Sequence, residues 1–262
     1  MNVGLIGCGN MARALARGWG RPLLCADPVP ERARSLAAEV GGEALASNAE
    51  VAARAELVVL CHKPAQLAAV AAEIGAGGAG GTPVASILAV TPLAALREAY
   101  PGRPVYRFIP SLPVEVRQGA VVQAAGPGLL DADGDDEAAA LDAAVAGLFA
   151  ELGTLVVLDD ALIDVAMGLM SCAPAYVALV AEAQVDAGVR RGIPAAQGAQ
   201  LVVQTLAGTA ELLRRRDYDT MAVRREVSSP GGLTARGVDA LERAGLRRAF
   251  SDALYAVLDG GR

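Results

Sequence analysis

Residues 2–12 read "NVGLIGCGNMA", and this stretch decides the fold. Asn2 to Ile6 is a short apolar strand that runs directly into Gly7-x-Gly9-x-x-Ala12, and a helical run from Arg13 to Gly18 follows. Gly7 and Gly9 allow a tight turn and a close backbone approach to a pyrophosphate. Ala12 permits helix-on-strand packing, and the helix N-terminus offers free N–H groups to the anion. The pattern alone is weak evidence; placed between a strand and a helix it specifies a dinucleotide-binding fold. Gly7, Cys8, Gly9, Asn10 and Met11 are therefore expected beside a cofactor.

Working outward, the next strand, 22–26, ends at Asp27, 20 residues beyond Gly7. A carboxylate there accepts hydrogen bonds from the adenine-ribose 2′-hydroxyl and repels a 2′-phosphate, which slightly favours NADH over NADPH. Arg32 and Arg34 soften that repulsion, and a plain turn residue before Pro28 is the other reading of Asp27. Strand and helix then alternate: helix 30–40, strand 56–60, a helix after Pro64, strand 83–89, helix 92–100, strand 105–109 and a last strand 154–158. Such alternation implies an α/β fold, a Rossmann-type doubly wound parallel sheet with ligands outside the carboxyl ends of its strands. Cys61-His62-Lys63-Pro64 and Arg107 to Ser111 fall at those ends. Of 23 basic residues only Lys63 is a lysine, and it sits at this edge. Cys61, His62, Lys63 and Pro64 are expected to line the cofactor, with His62 either a proton donor or a neighbour that contributes only backbone. The glycine-rich 75–81 and the acidic 126–136 read as solvated loops.

After residue 158 the character changes, and the sequence divides into a dinucleotide-binding domain, 1–158, and an all-α domain, 159–262. Asp159-Asp160 can cap a helix of about 28 residues running to Gly188, about 42 Å long. Its middle, from Val165 to Ala178, is small or apolar on nearly every side, as in a helix buried all round, and a partner chain is expected to wrap it. Pro174 would kink it. A further helix runs from Pro194 to about Arg216, and Asp217 or Asp219 caps a short one. Then comes "SSPGGLT", 228–234. Gly231 and Gly232 expose N–H groups ahead of a helix from Leu233 to Arg243, and Ser229 and Thr234 add hydroxyls. An anion site suited to a carboxylate is one reading and a simple turn the other.

Composition narrows the function classes. A net charge of -6 and 3% aromatic residues supply neither the basic footprint nor the stacking platforms of a nucleic-acid binder. The four cysteines show no metal-like spacing and there is one histidine, so no metal site is expected. No apolar run approaches the roughly 20 residues that span a bilayer, so no membrane partner is expected. The first residues show no export signal, and a cytoplasmic protein is the expectation.

Taken together, these segments resemble the pyrroline-5-carboxylate reductase family over almost the whole chain. The likeness is carried by residues 6–12, Lys63-Pro64, "RFIPSLPVEVRQG" at 107–119, Ala173 to Tyr176, residues 188–194 and "VSSPGGLT" at 227–234. The resemblance implies NAD(P)H in the N-terminal domain and a homodimer with interlocked C-terminal helices, often assembled into a higher homo-oligomer. It implies that a cyclic imine carboxylate is held at Ser229, Gly231, Gly232 and Leu233. Thr234 matches the position that hydrogen-bonds the ring nitrogen, and Asn48 and Lys63 match cofactor-side positions. The expected reaction is reduction of 1-pyrroline-5-carboxylate to L-proline. The chain departs from the family pattern at Met170 to Ala173 and at Ser111-Leu112, which keeps open a reductase of another cyclic imine acid, such as a piperideine carboxylate. A non-catalytic cofactor-binding dimer is the third reading.

Overall fold

The computed structural model describes residues 1–76, 81–126 and 136–260. Most of the two expected loops at 75–81 and 126–136 therefore lies outside the described residues.

The chain opens with β1 (Val3–Ile6), α1 (Asn10–Trp19), β2 (Leu24–Ala26), α2 (Pro30–Val40), β3 (Glu43–Ala44) and α3 (Asn48–Arg54). It continues with β4 (Leu57–Leu60), α4 (Leu67–Ala76), β5 (Val84–Ser86), α5 (Leu93–Ala99), β6 (Val105–Pro110) and β7 (Gly119–Ala124). Then come α6 (Asp136–Ala150), β8 (Gly153–Leu158), α7 (Ile163–Ala166), a π-helical turn (Met167–Ser171), α8 (Ala173–Val189) and α9 (Ala195–Arg214). Last are α10 (Thr220–Val227), α11 (Leu233–Arg243) and α12 (Leu246–Gly260). Two compact units result, Met1–Pro174 and Ala175–Arg262.

In the first unit the strands form one sheet in the order β3-β2-β1-β4-β5-β6-β7-β8. Strands β1 to β6 are parallel, as the alternation with helices requires, but β7 runs antiparallel to β6 and so departs from the all-parallel expectation. It can do so because β6 and β7 are joined by residues 111–118, which hold only a 3-10 helical turn (Leu112–Val116) and no crossover helix. The central strands β1, β2, β4, β5 and β6 are buried on both faces, so they are nearly continuously apolar, whereas β3 and β8 at the two edges contain no buried residue. On one face Leu5, Val59 and Phe108 pack under α1, α2 and α6; on the other Ile6, Leu60 and Ile109 meet α3, α4 and α5. Phe108 stacks on Phe149 at 3.8 Å, and Trp19 meets Phe149 edge-on at 5.6 Å while its indole N–H donates to the Leu148 carbonyl.

The long helix expected from Asp159 onward is broken. Pro174 has no N–H, and its ring crowds the carbonyl four residues back, at Met170, so the preceding turn widens and Cys172 N–H reaches the Met167 carbonyl. Asp160 does not cap it; the carboxylate serves Arg107 and the α5 N-terminus instead. Asp219, not Asp217, caps α10, accepting from the N–H groups of Met221 and Ala222. By length and composition the stretch Asp160–Val189, with mean hydropathy 1.7, is long and apolar enough to cross a membrane. The expectation of no such apolar run therefore understated it: Asp164 and Glu182 bound an uncharged segment between them.

Within a single chain this segment is not buried all round. Leu169, Val177 and Leu179 are exposed, and α8, α11 and α12 contain no buried residue. In α9 only Gly198 is buried. Apolar helices with no core of their own need a protein partner.

Candidate active site

The β1–α1 turn sets the first part of the site. Gly7 has φ +94, and a Cβ on it would lie 2.8 Å from the Cys61 carbonyl carbon and 2.8 Å from the His62 nitrogen. Only glycine fits there, because the ends of β1 and β4 are drawn together by the Cys61 N–H donating to the Ile6 carbonyl. Gly9 then caps α1, with no side chain occupying the cap and no acid in the first turn, so the helix N-terminus is open to an anion.

Asp27 closes the neighbouring strand end. One carboxylate oxygen accepts from Cys8 N–H and the other from Val29 N–H, each at 2.8 Å. The carboxylate is thereby fixed at the rim of a cavity of about 300 Å³ lined by Gly7, Gly9, Asp27, Arg32, His62 and Lys63. A second cavity, about 260 Å³, shares Cys61, His62 and Lys63 and adds Met11, Pro64, Ile109, Pro110, Met167 and Ser171. Of the expected cofactor residues, the structure thus brings together Gly7, Gly9, Met11, Asp27, Cys61, His62, Lys63 and Pro64. Cys8 is buried beneath the turn, Asn10 is exposed at the start of α1, and Asn48, which donates to Glu73 at 2.5 Å, lines neither cavity.

The electrostatics limit the chemistry. His62 Nδ1 lies 2.9 Å from the Lys63 carbonyl, which can only accept, so Nδ1 carries the proton. Nε2 is buried with no partner, and burial lowers the imidazole pKa from its ordinary value. His62 is therefore neutral near pH 7 and is not poised as an acid. The Cys8 thiol is pushed up by its hydrogen bond to Cys25 and by burial, and burial does the same to Cys61, so neither supplies a ready thiolate.

Sequence reading placed Arg107 at a strand end without a role. Only 1% exposed, it donates from Nη1 to Asp160 at 2.8 Å and from Nη2 to Asp164 at 2.5 Å. The other Asp160 oxygen accepts from Leu93 N–H. The cation thus ties β6, the α5 N-terminus and α7 together just ahead of the π-turn, where Ser171 Oγ donates to the Pro110 carbonyl in the second cavity. Asp160 and Asp164 are 53 and 57 residues away in sequence, so no local signal marks the cluster.

In the second unit, Ser229 to Gly232 form the turn before α11, and Leu233 and Thr234 open the helix. Gly231 has φ +69, and a Cβ on Gly232 would meet Ser229 Oγ at 2.5 Å. Gly232 N–H donates to the Ser229 carbonyl, and Gly232 caps α11 with no side chain in the cap and no acid in its first turn. Leu233 is 85% exposed and Thr234 is exposed beside it. The helix N-terminus therefore presents unclaimed N–H donors and a hydroxyl, the equipment for a carboxylate.

A glycine turn under an open helix N-terminus, at the carboxyl edge of a Rossmann-type sheet, defines a dinucleotide-binding protein. Comparison with known proteins narrows this. Residues 160–261 match the family model for pyrroline-5-carboxylate reductase dimerisation, and residues 2–90 the model described as NADP oxidoreductase, coenzyme F420-dependent. The chain is 35% identical to the pyrroline-5-carboxylate reductase of Thermus thermophilus, covering 100% of this chain and 97% of that one. It is 33% identical to the enzyme of that name from Synechocystis, covering 98% and 95%. A solved 1-pyrroline-5-carboxylate reductase from Streptococcus pyogenes superimposes with a TM-score of 0.85 at 26% identity, covering 99% and 97%. The chain belongs to the pyrroline-5-carboxylate reductase family. The dimerisation match covers the helices that lack a core in a single chain, and it includes the membrane-length stretch Asp160–Val189.

Proposed function

We propose that this chain reduces 1-pyrroline-5-carboxylate to L-proline, using NAD(P)H. Bound at the cleft, NAD(P)H supplies a hydride to the imine carbon, while the ring nitrogen ends with a proton. The observation that carries the reading is the cleft itself, where the Cβ-excluding Gly7 turn, the open α1 N-terminus, Asp27 and Lys63 surround one cavity. The turn and helix N-terminus cradle the pyrophosphate, and the Lys63 ammonium adds positive charge beside it. Asp27, clamped by two N–H groups, favours a ribose hydroxyl over a 2′-phosphate, so NADH is slightly preferred, with Arg32 on the same cavity moderating the difference.

On the substrate side, the N–H groups of Gly231 and Leu233 and the Ser229 hydroxyl hold the carboxylate, with the Gly232 N–H closing the turn on the Ser229 carbonyl, and Thr234 hydrogen-bonds the ring nitrogen. A cyclic imine is protonated readily, so the site must orient it and steady the nitrogen rather than supply a strong acid. The neutral His62 agrees with that requirement. The working form is a homodimer with interlocked C-terminal helices, supported by the coreless α8, α11 and α12. The four free cysteines suit a reducing cytoplasm. We assign the functional division to 1–158 for cofactor and 159–262 for substrate and dimer.

Thr234→Ala tests the substrate side. It is expected to lower turnover by about 100-fold while changing the NADH dissociation constant less than about threefold. Normal turnover in that variant would remove Thr234 from the reaction.

A further inference from the structure

Between β4 and α4 the chain makes a single 3-10 turn, Pro64–Gln66, directly behind Lys63. Pro64 sets the backbone angle that opens the turn but brings no N–H to it. The turn is held instead through the Lys63 backbone. The Lys63 carbonyl accepts from Gln66 N–H and from His62 Nδ1, each at 2.9 Å, and Lys63 N–H donates to Gln66 Oε1 at 3.1 Å. Lys63 and Gln66 thus close a small ring, bonded main chain to main chain in one direction and main chain to side chain in the other.

That ring fixes which way the Gln66 amide lies. A backbone N–H can be met only by the oxygen of the carboxamide, so Oε1 is committed to Lys63 and the NH2 group is left over. Among the described residues nothing accepts from this NH2. Gln66 lines the first cavity, with Gly7, Gly9, Asp27, Arg32 and Lys63, and is absent from the lining of the second. Its neighbours there suit a ligand rich in acceptors. Arg32 and Lys63 have no ion-pair partner among the described residues, and both Asp27 oxygens already accept backbone N–H groups.

We propose that Gln66 is a further cofactor-binding residue, its NH2 group donating to an oxygen on the adenosine diphosphate half of NAD(P)H. The half is argued from the company Gln66 keeps: the Gly7–Gly9 turn faces a pyrophosphate and Asp27 an adenine ribose, and both line the cavity that Gln66 lines. The Lys63 backbone does the positioning, because it holds the amide oxygen and so turns the donors to the ligand. The inference rests on the cofactor cleft and is independent of which imine is reduced.

Calorimetric titration of the full-length chain with NADH and with ADP-ribose tests it, using two variants that separate the two ends of the amide. Gln66→Glu keeps an oxygen for Lys63 N–H, and so keeps the ring, but exchanges the NH2 donors for a carboxylate oxygen. Gln66→Leu loses both. Gln66→Glu should weaken binding by about 10–100-fold and Gln66→Leu by about tenfold, each by the same factor for NADH and ADP-ribose. If Gln66 only clips the Lys63 turn, the order reverses and Gln66→Glu binds like the parent. The amide also reports directly in nuclear magnetic resonance: a side-chain N–H proton, assigned by its disappearance in Gln66→Leu, should move downfield as ADP-ribose saturates the parent. Unmoved Gln66 resonances in a parent that binds ADP-ribose would overturn the proposal. So would a Gln66→Glu chain as tight as the parent, or a loss confined to NADH. A parent that binds neither ligand would remove the cofactor cleft itself.

Discussion

Replacing Arg107 with methionine removes a cation that three elements share. The guanidinium is 1% exposed and makes two charged hydrogen bonds, to Asp160 and Asp164. Taking away one partner of a buried ion pair costs about 3–5 kcal/mol, because the other partner is left uncompensated. Here the stranded carboxylates are 28% and 36% exposed and can take up water, which places the cost near the lower figure, about 3 kcal/mol. For a unit of this size each kcal/mol moves the melting temperature by about 2–4 °C, so a fall of about 6–12 °C is expected by calorimetry. Arg107→Lys keeps the charge but loses the fork and should recover part of the loss. With α7 released, Met167 and Ser171 lose their setting in the second cavity, and the KM for NAD(P)H should rise as well. An Arg107→Met chain that melts within a degree of the parent, with unchanged cofactor KM, would refute the assignment of Arg107 as the tie between sheet and π-turn.

Gly7→Ala should abolish measurable NADH binding by calorimetric titration, because its methyl would lie 2.8 Å from the β4 end. Retained affinity would mean that the turn does not approach the cofactor. Val90 holds φ +54 while 49% exposed, a left-handed conformation that costs a β-branched residue about 1–2 kcal/mol. Val90→Gly is therefore expected to stabilise the chain by about 0.5–1 kcal/mol in urea, after the extra unfolded-state entropy of glycine is subtracted. His62 makes stability pH-dependent. Its folded pKa lies below the unfolded value, so the unfolded chain binds the proton first, and stability falls as pH drops through about 6.5 toward the folded pKa. His62→Gln should flatten that part of the profile, and an unchanged slope would place the titration elsewhere.

The cofactor half of the site was legible because its signal is local. Gly7-x-Gly9, Asp27 and Lys63 each follow a strand that apolar runs reveal, and parallel pairing then carries those strand ends to one edge. Helix α6 was not, since Ala-rich "DEAAALDAAVAGLFA" has little contrast between its faces even though Phe149 anchors the core. β7 was not read as a strand, since it starts at the last residue of the 107–119 motif and ends just before the acidic loop, and its reversed direction depends on its pairing with β6. Arg107 was visible as a residue but not as a junction, because its partners meet it only after the sheet has formed. The apolar middle of the second-half helix reads as a surface for a partner chain; within one chain it is exposed, and it lies in the segment that matches the dimerisation model.

The measurement that bears most directly on the central claim is oxidation of NADH and NADPH by the purified chain, with 1-pyrroline-5-carboxylate and then a six-membered piperideine carboxylate. The account predicts rapid turnover with the five-membered ring, L-proline as product, and a modestly higher kcat/KM with NADH. Faster reduction of the six-membered ring would contradict the substrate, and no oxidation with either imine, in protein that binds NADH, would contradict the reaction.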